Sequence, residues 1–473
     1  MQYGPGGSRF INGDVVNEGL ISLKSVLLFS RDGAEWVNRG TIEAANYMGL
    51  GITGKAAVFR QVSGEIRLSD PTQRLEFYNR SRFIHEGGKV LGRPVLVAAT
   101  AEVAAETTQE LALRFLAQGC SLEGRFPDDL SVLVASDDNY GPGSLALNTT
   151  TPIQGLVELS AASGSPGAVL ELPEKGITLG PRGVLRVKTG AGLSEIRGSL
   201  AIEGWLDVPG SARWTTEGST VTNRGKIRLP QGGRLQVSVP LVQTGGILQI
   251  IGGELAAYRG LSIGGGTLIA SGTISGSLTN GATAVIDQEQ PGRVRGDWTQ
   301  TSDGTLRVRV LETSAGAEPA LQVSGPLNLK GTLEVILADG VRLARGAELR
   351  LAQASRIEGW FEKLVLPTLE AGLYWRVVPS DSEVRLAVRD TPPPLVLEWL
   401  QTDGGDRIRV SGLWDPEMKI VVQVSRDLKH WTPFGSLSPF VGLARFPVPK
   451  PEDPLQGGMT VYQAVLTPVN STN

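Results

Sequence analysis

The residues whose types and spacing could do chemistry fall into a few groups, and each makes demands on its surroundings. Gly49-Leu-Gly51-Ile-Thr-Gly54-Lys55 matches the glycine fingerprint of a dinucleotide-binding turn. That chemistry needs a strand before the glycines, a helix after them whose N-terminus meets the pyrophosphate, and an acid roughly 20 residues on. A new glycine-led strand opens at Gly64, which leaves no room for the helix, so nucleotide binding is not expected. Gly260-Leu-Ser262-Ile-Gly264 matches a nucleophile elbow, but an activated serine needs a histidine base and an acid to orient it. The only histidine after Ser262 is His430, in a different segment, so Ser262 reads as an ordinary strand residue.

Asp128–Asp129 and Asp137–Asp138 are the paired carboxylates that could cleave a glycosidic bond. Adjacent acids on one strand point to opposite faces and converge only where a loop bends them, so solvated loop acids are the expectation. Asp137-Asp-Asn139, or Asp403 with Asp406, could bind calcium, yet neither fits a known loop spacing. Trp399, Trp414 and Trp431 could form a sugar-stacking platform, with core packing the expected alternative. His85 stands alone and cannot build a catalytic or metal site. Cys120, the single cysteine, excludes an internal disulfide and a thiolate metal cluster. No catalytic, cofactor-binding or metal-binding residue is assigned, and no cofactor is expected.

The elements that would carry these residues are marked by glycine, which makes up 61 of 473 residues. There is no G-X-Y period and Gly plus Pro stay below the low-complexity range, so collagen and disorder are excluded. A Gly-x-apolar-x-apolar pattern recurs at Gly183, Gly204, Gly225, Gly246 and Gly266, at intervals of 21, 21, 21 and 20, and again at Gly19, Gly40 and Gly64. Such a period predicts a solenoid. Glycine is read as a turn residue of positive φ, followed by a short alternating strand. Leu185, Leu206, Ile227, Leu248 and Leu268 should then form one inward column and Val187, Val208, Leu229, Ile250 and Ala270 a second, with Arg186, Asp207, Arg228 and Gln249 facing solvent. Asn17, Asn38 and Asn223 each precede a glycine corner, and His85 occupies the same slot before Gly87.

Three strands and three turns fill a coil of about 21 residues, the cross-section of a parallel β-helix. Only Glu106 to Gln118 admits a helix, and it too alternates at Leu111, Leu113 and Phe115. The period loosens between residues 88 and 155, where segments 126–130 and 136–143 read as loops projecting from the coil. Residues 1–291 are therefore assigned to a β-solenoid, 292–390 to a distal solenoid or capping region, 391–394 to a Pro-rich linker, and 395–473 to a small C-terminal β-sandwich with alternating runs. The fold class is all-β.

With 45 basic against 48 acidic residues, a net charge of −3 and no basic run, nucleic acid is not an expected partner. No apolar run reaches the roughly 18 residues that a membrane span requires. The segment Met1-Gln2-Tyr3-Gly4-Pro5-Gly6-Gly7 lacks the regions of a signal peptide, so the chain reads as soluble, with its native N-terminus left open.

Gly296-Asp-Trp-Thr-Gln-Thr301, Gly304-Thr-Leu-Arg-Val308, Gly325-Pro-Leu-Asn-Leu329, Gly331-Thr-Leu-Glu-Val335 and the stretch from Gly372-Leu-Tyr-Trp375 to Val384-Arg-Leu-Ala-Val388 resemble the distal passenger region of bacterial autotransporters and related secreted β-helix proteins. Gln423-Val-Ser-Arg-Asp-Leu428, Trp431-Thr432, Gly435 and Tyr462-Gln-Ala-Val-Leu466 resemble the C-terminal module of large secreted bacterial repeat proteins. These resemblances imply a secreted, surface-exposed passenger. The segment after the passenger-like region, from Asp390 to Asn473, is too short for a translocator barrel of membrane-spanning amphipathic strands.

The expected function is that of a non-catalytic extracellular or cell-surface protein, adhesin-like or filament-forming. Self-association end to end or along the solenoid faces, and contact with surface glycans, are the expected partnerships. The alternative is a polysaccharide-active enzyme or carbohydrate-binding protein using loops 126–141 and the solenoid face.

Overall fold

The computed structural model describes residues 7–45, 47–68, 70, 72–104, 110–136, 139–149, 151–161, 167–190, 192–311, 317–378, 380–391, 394–400, 406–415, 418–437, 440–448 and 460–468. Among the described residues there are strands and turns and no helix. The chain divides into two units, Met1–Arg259 and Gly260–Asn473.

Met1–Arg259 is a parallel β-solenoid with three faces. One face runs from Arg9–Ile11 through Leu27–Phe29 and Gly49–Ile52 to Lys226–Leu229. A second runs from Val15–Asn17 through Glu35–Asn38 to Arg234–Val237. The third has two blocks of short strands, Leu20–Leu23 to Lys89–Leu91 and Ile177–Leu179 to Val221–Asn223. Strand Leu241–Ala257 bends around the corners and pairs with all three faces in turn.

Period-two alternation sends every second side chain into the coil. Leu185, Leu206, Ile227 and Leu248 lie in register and are fully buried, as are Val187, Val208, Leu229 and Ile250. Leu268 and Ala270 are likewise buried within the second unit. Early coils fill the interior with aromatic rings instead: Phe29, Trp36, Phe59, Phe77 and Phe83 touch in sequence, with centroids 5.1–6.2 Å apart. Of the expected solvent-facing residues, Asp207 departs from expectation. It lies on the outer face but is only 6% exposed, covered by Arg186, whose Nε is 3.2 Å from its Oδ2.

Three of the five regularly spaced glycines have a different cause from the one expected. Gly246 and Gly266 have positive φ (63° and 73°), but Gly183, Gly204 and Gly225 do not. A Cβ on Gly204 would lie 2.2 Å from the Gly183 carbonyl oxygen, and one on Gly225 2.2 Å from that of Gly204. Glycine is needed there because successive backbones touch at a corner. Two corners are involved: Gly19, Gly40 and Gly64 follow strands of the second face, whereas Gly183, Gly204 and Gly225 follow strands of the third.

The stretch Glu106 to Gln118 is not a helix where it is described: Leu111–Leu116 is a strand of the first face, and 105–109 lie outside the described residues.

Gly260–Asn473 opens with the same parallel coiling. Strand Leu261–Ser275 pairs with Leu278–Asn280, Thr283–Asp287 and Gly292–Arg295, and coils continue to Arg356–Gly359 and Lys363–Val365. They end where Glu383–Arg389 runs antiparallel to both Glu348–Gln353 and Tyr374–Val378. Two small antiparallel sheets follow. Arg407–Asp415 lies between Val396–Leu400 and Phe440–Pro447, and Met418–Ser425 between Thr432–Leu437 and Val461–Pro468. Ile408, Val410, Ile420, Val422 and Ala444 form the core between them.

Candidate functional site

Enlarged corners of a solenoid, gathered on one side, are where a repeat protein departs from pure scaffold. In Met1–Arg259 the connections from the first face to the second run from Leu116 to Cys120, Ala135 to Ser144, Ser160 to Val169, Val187 to Leu193 and Asp207 to Ser211 in successive coils. They lengthen and then shorten again. Beside them lies a groove of about 540 Å³, to which Gln118, Gly119, Pro142 and Gly167 contribute from the corners and Leu193 from the start of its strand.

The rest of the groove is the outer surface of the second face. Ser121, Ala146, Glu171 and Arg197 form one outward column in register, and Ser144, Val169, Glu195 and Arg213 the next. Both columns step from small side chains to long ionised ones, so the small residues make a floor and the charged ones a wall. Ser144 Oγ accepts from Gly119 N at 3.0 Å, and the Ser121 and Thr100 hydroxyls share a hydrogen bond of 2.8 Å.

Glu195 is the centre of the wall and is only 7% exposed. Arg197 donates to it from Nε at 2.9 Å and from Nη2 at 3.3 Å, Arg213 from Nη2 at 2.8 Å, and Thr215 Oγ1 at 3.0 Å. These donors, Arg197 first, outweigh burial and bring the carboxyl down to about 2. Arg197 also reaches Glu171 through Nη1 at 2.9 Å. Two carboxylates therefore face two guanidiniums, and the wall carries no net charge.

The residues singled out in the sequence do not assemble into a reactive centre. Gly49–Ile52 is a buried strand, and a Cβ on Gly49 would meet the Arg74 carbonyl oxygen at 2.3 Å and one on Gly54 the Arg31 carbonyl oxygen at 2.2 Å, so these two glycines serve close coil packing. Ser262 points outward from strand Leu261–Ser275, and His430 Nδ1 is 2.6 Å from Asp427 Oδ2 in a turn that Asp427 also caps by accepting from the His430 and Lys429 amides. Asp128 is exposed and paired with Arg182, which lowers its pKa, whereas burial raises that of Asp129, whose Oδ1 has no hydrogen-bond partner. Asp137, Asp138 and Asp403 lie outside the described residues, and Asp406 is exposed. Among the described residues no cluster of three His, Cys, Asp or Glu side chains could hold a metal. Trp399 is not core: it is 47% exposed and leans on Tyr462, with centroids 5.8 Å apart. Trp431 is half-buried, and the Trp414 side chain lies outside the described residues.

His85 does occupy the asparagine slot. It ends strand Arg82–His85 in register with Gln61, which pairs with Asn38, which pairs with Asn17. The column points inward, and the imidazole stacks on Phe83 at 6.2 Å.

Sequence reading missed the groove. Alternation alone would have sent Ser121, Ala146, Glu171 and Arg197 outward, but they align only once coils longer than the basic period are counted through the enlarged corners. No protein-family model matches the chain, and no curated protein is significantly similar to it.

Proposed function

We propose that this chain is a non-catalytic extracellular surface protein, a β-solenoid that acts by binding and by presenting surface. The observation that carries the reading is the state of Glu195. Its two oxygens accept four hydrogen bonds from Arg197, Arg213 and Thr215, which fill a carboxylate's acceptor sites and hold it ionised, whereas a general acid must keep its proton near neutral pH. The resemblance to autotransporter passengers and to the C-terminal module of secreted repeat proteins supports a location outside the cell. Self-association belongs to the same reading. Within Gly260–Asn473 the parallel coils give way to antiparallel strands, so association is expected along the solenoid faces.

The test is twofold. Sedimentation over a wide concentration range should show a concentration-dependent larger species, and a strictly monomeric chain removes the filament version. Reducing-sugar and unsaturated-product assays on a pectin and alginate panel should give no turnover. Activity abolished by Asp129→Ala or Asp138→Ala would instead establish the alternative, a polysaccharide-active enzyme. The raised pKa of Asp129 favours that second reading.

A further inference from the structure

We infer that the groove beside the enlarged corners binds a neutral, linear oligosaccharide lying along the solenoid axis; this deepens the reading of the chain as a binding surface and rests on it. The first argument is shape. The lining comes from Cys120–Gly124, Ser144–Thr149, Val169–Glu171, Leu193–Arg197 and Ser211–Trp214, five strands that neighbour one another in order. Five strands at about 4.8 Å span roughly 19 Å along the axis, the form of a trough for an extended chain rather than a cup for a single ring.

The second argument is charge. Glu171 and Glu195 are matched by Arg197 and Arg213 through four side-chain hydrogen bonds. An anionic chain would meet two carboxylates and no unpaired guanidinium. A cation would find Glu195 already saturated. Neither charge has a partner to gain, so desolvation selects against both.

The third argument is surface chemistry. Pro142, Ala146, Val169 and Leu193 put apolar patches among the hydroxyls, the Gln118 amide and the outward guanidinium edges. A sugar chain is amphipathic in the same way, with C–H faces beside hydroxyls that both donate and accept. The volume lies in the range of ligand sites, about 300–1,000 Å³.

The experiment is isothermal titration of the whole chain with cellohexaose, xylohexaose and maltohexaose, and with hexagalacturonate as the acidic counterpart. At least one neutral hexasaccharide should bind with a Kd of about 1 mM or tighter, and hexagalacturonate should not. Ala146→Trp fills the floor from an outward position and should weaken binding at least tenfold while leaving the circular dichroism and thermal midpoint unchanged. Glu171→Gln leaves the wall positive and should admit hexagalacturonate without unfolding the coil. Silence across the neutral panel, a preference of the wild-type chain for the acidic sugar, or neutral-sugar binding indifferent to Ala146→Trp would each overturn the inference. Turnover of a bound sugar would instead overturn the non-catalytic reading and leave the binding site standing.

Discussion

Asn38 Nδ2 donates to Gln61 Oε1 at 2.7 Å, and both side chains are sealed from solvent inside the coil. Asn17 Nδ2 donates to Asn38 Oδ1 in the same way at 2.7 Å, and Gln61 Nε2 passes the chain on to the Ser63 carbonyl at 2.6 Å. The result is a directional amide ladder, one rung per coil, beside the aromatic stack. Asn38→Leu removes the donor of a buried acceptor, and leaving such a group unpaired costs about 1–3 kcal/mol. The urea midpoint of the variant should fall accordingly. Because the two carboxamides act as a pair, Asn38→Leu with Gln61→Leu should cost less than the sum of the single changes; strict additivity would show that the ladder is not coupled.

His85 ends this ladder with Nδ1 unpartnered and its ring against Phe83. Burial lowers its pKa to about 4. The unfolded chain, with a histidine near 6.5, therefore binds the proton more readily than the folded one. The contribution of neutral His85 to stability is complete above about pH 6.5, declines as the pH falls and is lost by about pH 4, a change of roughly 3 kcal/mol. His85→Gln keeps a carboxamide of the kind Gln61 supplies one coil earlier and has no proton to gain. Urea midpoints at pH 7 and pH 4.5 should converge more in the variant than in the wild type. Equal pH dependence in the two chains would show that the imidazole does not titrate in this window.

Two glycines separate close packing from backbone strain. At Gly225 a Cβ meets the Gly204 carbonyl oxygen and φ is ordinary for any residue, while at Gly218 φ is +77° with nothing within 4 Å. Gly218→Ala should cost about 1–3 kcal/mol, the range for a residue held in an unfavourable backbone region. Gly225→Ala must push two coils apart and should cost more, with the loss concentrated around residues 204–229 in hydrogen exchange. Equal costs at the two sites would mean that the coils can separate freely at this corner.

These particular residues also show how far the fold was legible in the sequence. Leu185, Leu206, Ile227 and Leu248 were readable as a column because their coils are all of one length, so phase and register coincide. The reason for the glycines was not readable, because a residue required by an approaching carbonyl and one required by positive φ look alike in one dimension. The period loosens between residues 88 and 155, and the coils stay irregular up to Val184, for two physical reasons: the glycine column moves to another corner, and coil length drifts from nineteen residues between Val95 and Arg114 to twenty-eight between Leu156 and Val184. Glu195 and Arg213 meet just after that irregular stretch, eighteen residues apart on neighbouring strands, and close the groove wall. Their meeting depends on register, which strand alternation alone does not supply.

The C-terminal sandwich is tied to the end of the second unit's coil by Arg445, whose side chain is only 7% exposed. Its Nη1 donates to the Gly359 carbonyl at 2.8 Å and its Nη2 to that of Ser380 at 3.1 Å, close to the point where Arg376 pairs with Leu413. Asp381, 3.6 Å away, is largely exposed and also holds Arg409, so Arg445→Met strands no buried charge. It removes two charge-assisted hydrogen bonds, worth roughly 1.5–3 kcal/mol each before solvent takes them over, and keeps most of the apolar stem. Amide exchange should quicken at least tenfold in Tyr374–Val378 and at the paired end of Arg407–Asp415. The sheet of Met418–Ser425, Thr432–Leu437 and Val461–Pro468, which does not include this residue, should stay protected. Uniform acceleration through both sheets would show that Arg445 stabilises the sandwich itself; no acceleration would show that the strand pairing at Arg376 suffices to hold it.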